Sequence, residues 1–115
     1  MPSIDCLLDR EYDEEAYNCR HFAGEAWELL TGDSRLREVN ERNMRPGATA
    51  ALFRGLKRVV GPTEAPSIVL MDNLKGEPHV GICYRRRLLH LNCEGPQFVL
   101  FDAALPLYRN LRFWA

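Results

Sequence analysis

No Cys-x-x-C pair occurs among the four cysteines, Cys6, Cys19, Cys83 and Cys93. Zinc-ribbon and thioredoxin-type readings therefore have no support. No apolar run approaches the roughly 20 residues needed to span a bilayer. Met1 to Arg10 shows no basic region followed by a long apolar core. The chain is accordingly expected to be made in the cytoplasm without a signal peptide and to have no membrane partner. Net charge is only -1 over 115 residues, which leaves no global basic field for nucleic acid. The densest basic cluster, Arg85-Arg86-Arg87, reads as a solvated turn. Internal repeats, low-complexity segments and long linkers are all missing, so residues 1–115 are expected to form a single domain.

A hydrophobic content of 46% against 27% charged residues is an ordinary globular balance and argues against disorder. The even cysteine count would allow two disulfides. But the spacings are irregular and the core looks large enough to stand without them. Free thiols are expected, with Cys83 and Cys93 as small strand residues.

The stretch Asn18-Cys19-Arg20-His21-Phe22 organises the chain. Asn18 is a good helix N-cap. Behind it Cys19, Ala23, Ala26 and Leu30 recur at helical spacing, Phe22 and Leu29 widen the stripe, and Gly32 reads as the stop. This predicts a helix from Cys19 to Thr31 with Cys19 in its first turn. Free N–H groups and the positive end of the dipole favour a thiolate there, the nucleophilic form of cysteine. The plainer alternative is a packed thiol, since free cysteine is among the most buried residue types.

Met1 to Glu15 is an acidic lead-in anchored by Ile4, Leu7 and Leu8, expected to pack as a short turn or strand. Asp33-Ser34 caps a short polar helix that ends near Asn43, and Pro46-Gly47 breaks the chain. A third helix is predicted from Ala48 to Val60, closed by Gly61-Pro62. Strands are predicted at Ser67 to Met71, His79 to Tyr84, Leu88 to Cys93, Gln97 to Phe101 and Asn110 to Trp114. Helices first and strands afterwards predict an α+β domain, with N-terminal helices packed on an antiparallel sheet.

The hairpin of the second and third strands carries His79 and His90. A turn centred on Tyr84-Arg85 would set the two directly opposite each other, on one sheet face. With the helix-borne Cys19 packed on that same face, thiolate, imidazole base and a polar group behind the base would form the unit that thiol catalysis needs. Two alternatives stand beside it: a pair of ordinary strand histidines, or a Cys-His-His metal site that has no evident fourth ligand. His21 lies about 200° round the helix from Cys19 at roughly 100° per residue, so it is read as structural.

Asn-Cys-Arg-His-Phe, Glu25-Ala26-Trp27, Val69-Leu70-Met71, Pro78-His79-Val80-Gly81-Ile82, Leu88-Leu89-His90 and the ending Tyr108 to Trp114 together resemble the NlpC family of cysteine peptidases. The likeness is closest to short members encoded in bacteriophage tail gene clusters, and it runs from Tyr17 to the C-terminus. It implies a compact papain-like fold. It also implies cleavage of peptide bonds in bacterial peptidoglycan stem peptides, often between D-glutamate and a diamino acid. Carried onto this chain, Cys19 is the nucleophile, His79 the general base and His90 the residue that orients it. The Cys19 N–H is the natural first oxyanion donor. No cofactor or metal is implied. The partners implied are the stem peptide and, for a virion component, other tail proteins. The family's upstream tyrosine-glycine motif is not recognisable, and Tyr12 and Tyr17 are the candidates for a substrate-side hydroxyl. Asn-Cys-x-His-Phe also resembles the lecithin–retinol acyltransferase group, where the catalytic histidine precedes the cysteine; no histidine precedes Cys19. A catalytically idle tail protein with the same fold and a cytoplasmic amidase or acyltransferase are the other readings.

Overall fold

The computed structural model describes residues 3–41 and 48–115. Helix α1 (Cys19–Thr31) has the predicted bounds, with Asn18 extended before it and Gly32 left-handed at φ 77° behind it. Its buried face is Phe22, Ala23, Gly24, Ala26 and Trp27. Gly24 faces the second helix closely, since a Cβ there would sit 2.8 Å from the Arg37 Cα. That helix, α2 (Arg35–Glu41), starts where the Asp33 carboxylate accepts the Arg35 N–H at 3.0 Å. The break expected at Pro46-Gly47 and the helix end expected near Asn43 lie outside the described residues.

The third helix is shorter than predicted. Helix α3 (Ala48–Arg54) stops before Gly55 rather than continuing to Val60. Arg58–Val59 instead forms a short edge strand, β1. Arg58 pairs with Trp114 and Val59 with Phe113, and Lys57 and Ala115 exchange backbone hydrogen bonds of 2.8 and 3.0 Å. Gly55 is a poor helix residue and Val59 is β-branched, so ladder bonds to the chain's end win over another helical turn.

The other strands are β2 (Ser67–Asn73), β3 (Pro78–Tyr84), β4 (Arg87–Asn92), β5 (Gly95–Leu100) and β6 (Tyr108–Trp114). Each predicted strand is present, its ends shifted by a residue or two. A short helix, α4 (Phe101–Ala104), connects β5 to β6. All six strands form one antiparallel sheet in the order β1-β6-β2-β3-β4-β5. The α+β expectation, with an N-terminal helix packed on an antiparallel sheet, is met.

Alternation along the strands divides the core in two. Ile68, Val80, Ile82, Leu89 and Leu91 pack with Phe22, Ala23, Ala26 and Trp27 of α1. Val69, Met71, Cys83 and Leu88 face the other way, with Phe101, Ala104, Tyr108 and Phe113. Both faces of β2 are therefore covered, which is why Ser67 to Met71 reads as an unbroken apolar run. In the lead-in, Leu7 is buried and Ile4 packs against the first cluster, but Leu8 is exposed and is no anchor. No helix among the described residues is long and apolar enough to cross a membrane.

Candidate active site

Cys19 owes its position to a capping box. The Asn18 side-chain oxygen accepts the Arg20 N–H at 3.0 Å, and His21 Nδ1 accepts the Asn18 N–H at 3.1 Å. His21 thus occupies the place that glutamate usually takes in such a box, and it is structural, as read. Upstream, Asp13 and Tyr17 exchange backbone hydrogen bonds of 2.8 and 2.9 Å. Asp13 Oδ1 also accepts the Glu15 and Ala16 N–H groups, which holds that carboxyl below its usual range. This tight loop delivers the chain to the helix start. Asn18→Ala should cost about 1 kcal/mol through loss of the cap, read from urea midpoints; an unchanged midpoint would mean the box does not hold the helix start.

The lead-in is tied down by Glu25, whose carboxylate accepts from Arg10 Nη2 at 3.1 Å and from the Tyr17 hydroxyl. Burial alone would raise the Glu25 carboxyl, but hydrogen bonds from Arg10 and Tyr17 and the charge of Arg10 bring it below its ordinary value. Burial and that carboxylate push the Tyr17 phenol up. Of the two candidate substrate-side hydroxyls, Tyr17 is therefore already engaged. Tyr12 is half-exposed, and its phenol is raised by burial and by the neighbouring Glu14, Cys19 and Cys93.

His79 and His90 meet, though not as the sequence suggests. The β3–β4 ladder pairs Ile82 with Leu89, Cys83 with Leu88 and Tyr84 with Arg87. The turn is therefore Arg85-Arg86, one residue later than expected, with left-handed φ values of 52° and 61°. Arginine carries no sequence signal for that conformation. Tertiary contacts hold it: the Arg85 and Arg86 N–H groups donate to the Glu64 and Thr63 carbonyls, both at 2.9 Å. The shift moves each pairing by two positions, an even number, so both imidazoles stay on one face as diagonal neighbours. Gly81 leaves room between them, since a Cβ there would lie 3.1 Å from the His90 Cβ.

The rings are joined by a hydrogen bond of 2.8 Å between His79 Nε2 and His90 Nδ1. His90 Nε2 in turn meets Gln97 Oε1 at 3.2 Å, across the direct pairing of His90 with Gln97 on β5. Tyr108 stacks on His79 with centroids 4.7 Å apart and stands edge-on to His90 at 5.6 Å. His90 is 1% exposed. Burial, reinforced by His90, pushes His79 down to about 4, and burial likewise pushes His90 down to about 4 against the opposing hydrogen bond of Gln97. Both rings are neutral at neutral pH. His79 Nδ1 is left as the one nitrogen of the pair with no hydrogen-bond partner among the described residues.

Cys19 is half-buried and packs on the first core cluster. The body of α1 covers that face of the sheet, whereas the imidazoles project among the second cluster with Tyr108. The expectation of a cysteine helix packed on the face that carries both histidines is therefore not met: strand alternation turns His79 and His90 away from α1. Burial raises the Tyr108 phenol, the Asn92 side chain lowers it, and Cys19, Cys93 and Glu94 raise it further. The cysteine and the β4–β5 turn thus share the neighbourhood of the ring stacked on His79. Among the described residues no hydrogen bond joins Cys19 Sγ to either imidazole. The Cys19 N–H likewise has no partner among the described residues.

All four cysteines are free, as expected. Cys83 is buried, accepts the Thr63 N–H at 3.2 Å and donates to the Thr63 carbonyl at 3.3 Å. Cys93 is an exposed turn residue rather than a strand residue. Among the described residues no group of three His, Cys, Asp or Glu side chains is arranged to hold a metal ion.

Gln97 and Tyr108 escape the sequence reading. Gln97 had a usable signal: a turn at Cys93-Glu94 sets it opposite His90. Tyr108 had none, because β6 crosses from β5 to the far side of β2, and no local pattern foretells that partner. Comparison with protein-family models, with curated proteins and with solved structures finds no match to this chain.

Proposed function

We propose that the chain is a cysteine peptidase of the NlpC type, with a papain-like arrangement, acting on peptide bonds of peptidoglycan stem peptides as a component of a bacteriophage tail. The observation that carries this reading is the chain His79–His90–Gln97, which engages His79 Nε2 and leaves Nδ1 without a partner among the described residues, stacked on Tyr108, whose phenol Cys19 also influences. In this reading His79 Nδ1 takes the Cys19 thiol proton and the thiolate attacks the scissile carbonyl carbon. The unengaged Cys19 N–H faces the developing oxyanion. His79 returns the proton to the leaving amine, and water, activated by the same nitrogen, hydrolyses the thioester. His90 holds His79 by its far nitrogen. The Cys19-to-His79 hydrogen bond forms as substrate seats, since catalytic hydrogen bonds commonly tighten only in the substrate complex.

The experiment is a digest of purified peptidoglycan, read by mass spectrometry. The expected result is new stem-peptide fragments carrying a free amine on the diamino acid, at a rate that a chelator leaves unchanged. Loss of hydrolysis on chelation with recovery on added zinc would overturn the thiol mechanism. A second reading, an idle tail protein of the same fold, is favoured by the packing of α1 and Cys19 with the first core cluster while the imidazoles lie with Tyr108 and the second. It predicts intact peptidoglycan.

A further inference from the structure

We propose that Gln97 is a positioning residue that sets the direction of the hydrogen bonds in the imidazole chain, and thereby which nitrogen of His79 carries the proton. The inference deepens the peptidase reading and takes its catalytic meaning from it, although the proton arrangement itself is argued from the hydrogen-bond geometry and the burial of the two rings.

His90 is sealed from water, so both its ring nitrogens must find protein partners. They have one each, Gln97 Oε1 at 3.2 Å and His79 Nε2 at 2.8 Å. A neutral imidazole has one N–H and one lone pair. An amide oxygen can only accept, so the His90 proton sits on Nε2. His90 Nδ1 is then a lone pair and can only accept. His79 must therefore donate from Nε2, which leaves its Nδ1 as a lone pair, the form a general base needs. Every step follows from the first. With a donor at position 97 the chain runs the other way, and with none the cost of a buried unpaired N–H favours the same reversal. His90 then carries its proton on Nδ1, His79 Nε2 accepts it, and His79 Nδ1 holds a proton that blocks it as a base. Burial keeps both rings neutral near pH 7, so no second proton relaxes this choice. The register fixes Gln97 firmly, because β4 and β5 pair residue by residue from Arg87 opposite Leu100 to Asn92 opposite Gly95.

The test is a two-bond proton–nitrogen correlation spectrum of the uniformly nitrogen-15-labelled protein, which distinguishes protonated from bare ring nitrogens. Only three histidines need assigning. The wild type should show protonated Nε2 and bare Nδ1 on both His79 and His90. A proton on His79 Nδ1 in the wild type overturns the proposal, whether or not any variant folds. In Gln97→Met, which keeps the length and removes the acceptor, His79 should shift toward the Nδ1-protonated form. Iodoacetamide labelling of Cys19 near neutral pH should fall roughly 10- to 100-fold, by analogy with the loss of the outer-shell partner that orients a metal-bound imidazole. An unchanged His79 tautomer in Gln97→Met overturns the proposal. Neither readout needs a substrate. Intact peptidoglycan together with the expected tautomers would refute the peptidase reading and leave the role of Gln97 standing. A shifted tautomer with unchanged labelling would uphold Gln97 and detach Cys19 from His79.

Discussion

Cys19→Ala is expected to slow fragment release from peptidoglycan by about 10⁴-fold or more, because removing the nucleophile removes the covalent route itself. The substitution takes away one sulfur from a half-buried site, so the fold should survive and the loss can be assigned to chemistry. His90→Ala alone should cost less, since the base remains but its tautomer and orientation are no longer held. Adding His90→Ala to Cys19→Ala should cost nothing further, because members of one catalytic unit are not additive. A full extra loss in the double variant would mean that His90 acts outside the unit. The same thiol can be followed without substrate. Cys19 is expected to react with iodoacetamide faster than Cys6 and Cys93, although both of those are exposed and Cys19 is only half so. Exposure alone predicts the reverse order, so the ranking isolates the effect of the helix start and of the imidazole base proposed for it. Labelling of Cys19 no faster than of Cys6 would favour the idle reading.

How much of this could be read from the residues depends on the range of the force involved. Helix α1 was legible to the residue because its signals are local: Asn18 to cap, a 3.6-residue stripe, and Gly32 at a left-handed φ. The shared face of the two histidines was legible because alternation survives any even shift of register. Their direct opposition was not, because the turn is fixed by carbonyls of Thr63 and Glu64, some twenty residues away. The predicted helix through Val60 failed for a similar reason. Its last residues pair with Trp114 and Phe113, at the other end of the chain. At the site, the sequence offered Cys19, His79 and His90. It missed Gln97, one strand beyond the predicted hairpin, and Tyr108, which arrives through a crossover. The chemistry-bearing residues were visible as types; the groups that orient them became visible only with the pairing of strands.

The same orienting shell makes the protein sensitive to acid, and the second large effect is expected there. His79 and His90 both sit well below the ordinary histidine value of 6.5, at about 4, chiefly through burial. Between those values the unfolded chain binds protons that the folded chain refuses. Stability therefore rises with pH across this window. The contribution is fully present above about pH 6.5 and is lost as pH falls toward about 4. The slope is on the order of 1 kcal/mol per pH unit for the sealed His90, and less for His79, which water partly reaches. Carboxylates held low in the folded state, such as Asp33 at about 2 beside Arg35, and Asp13 and Glu25, act in the same direction, but only once unfolded carboxyls begin to protonate below about 5.5. The interval from about 6.5 to about 5.5 thus isolates the imidazoles. Urea midpoints should fall steadily through that interval, and in His90→Gln, which keeps hydrogen-bonding groups but cannot titrate, the fall should be less steep. Equal slopes in wild type and variant would mean that His90 is protonated in the folded state as readily as in the unfolded one. A buried imidazole pair joined by a single proton does not permit that.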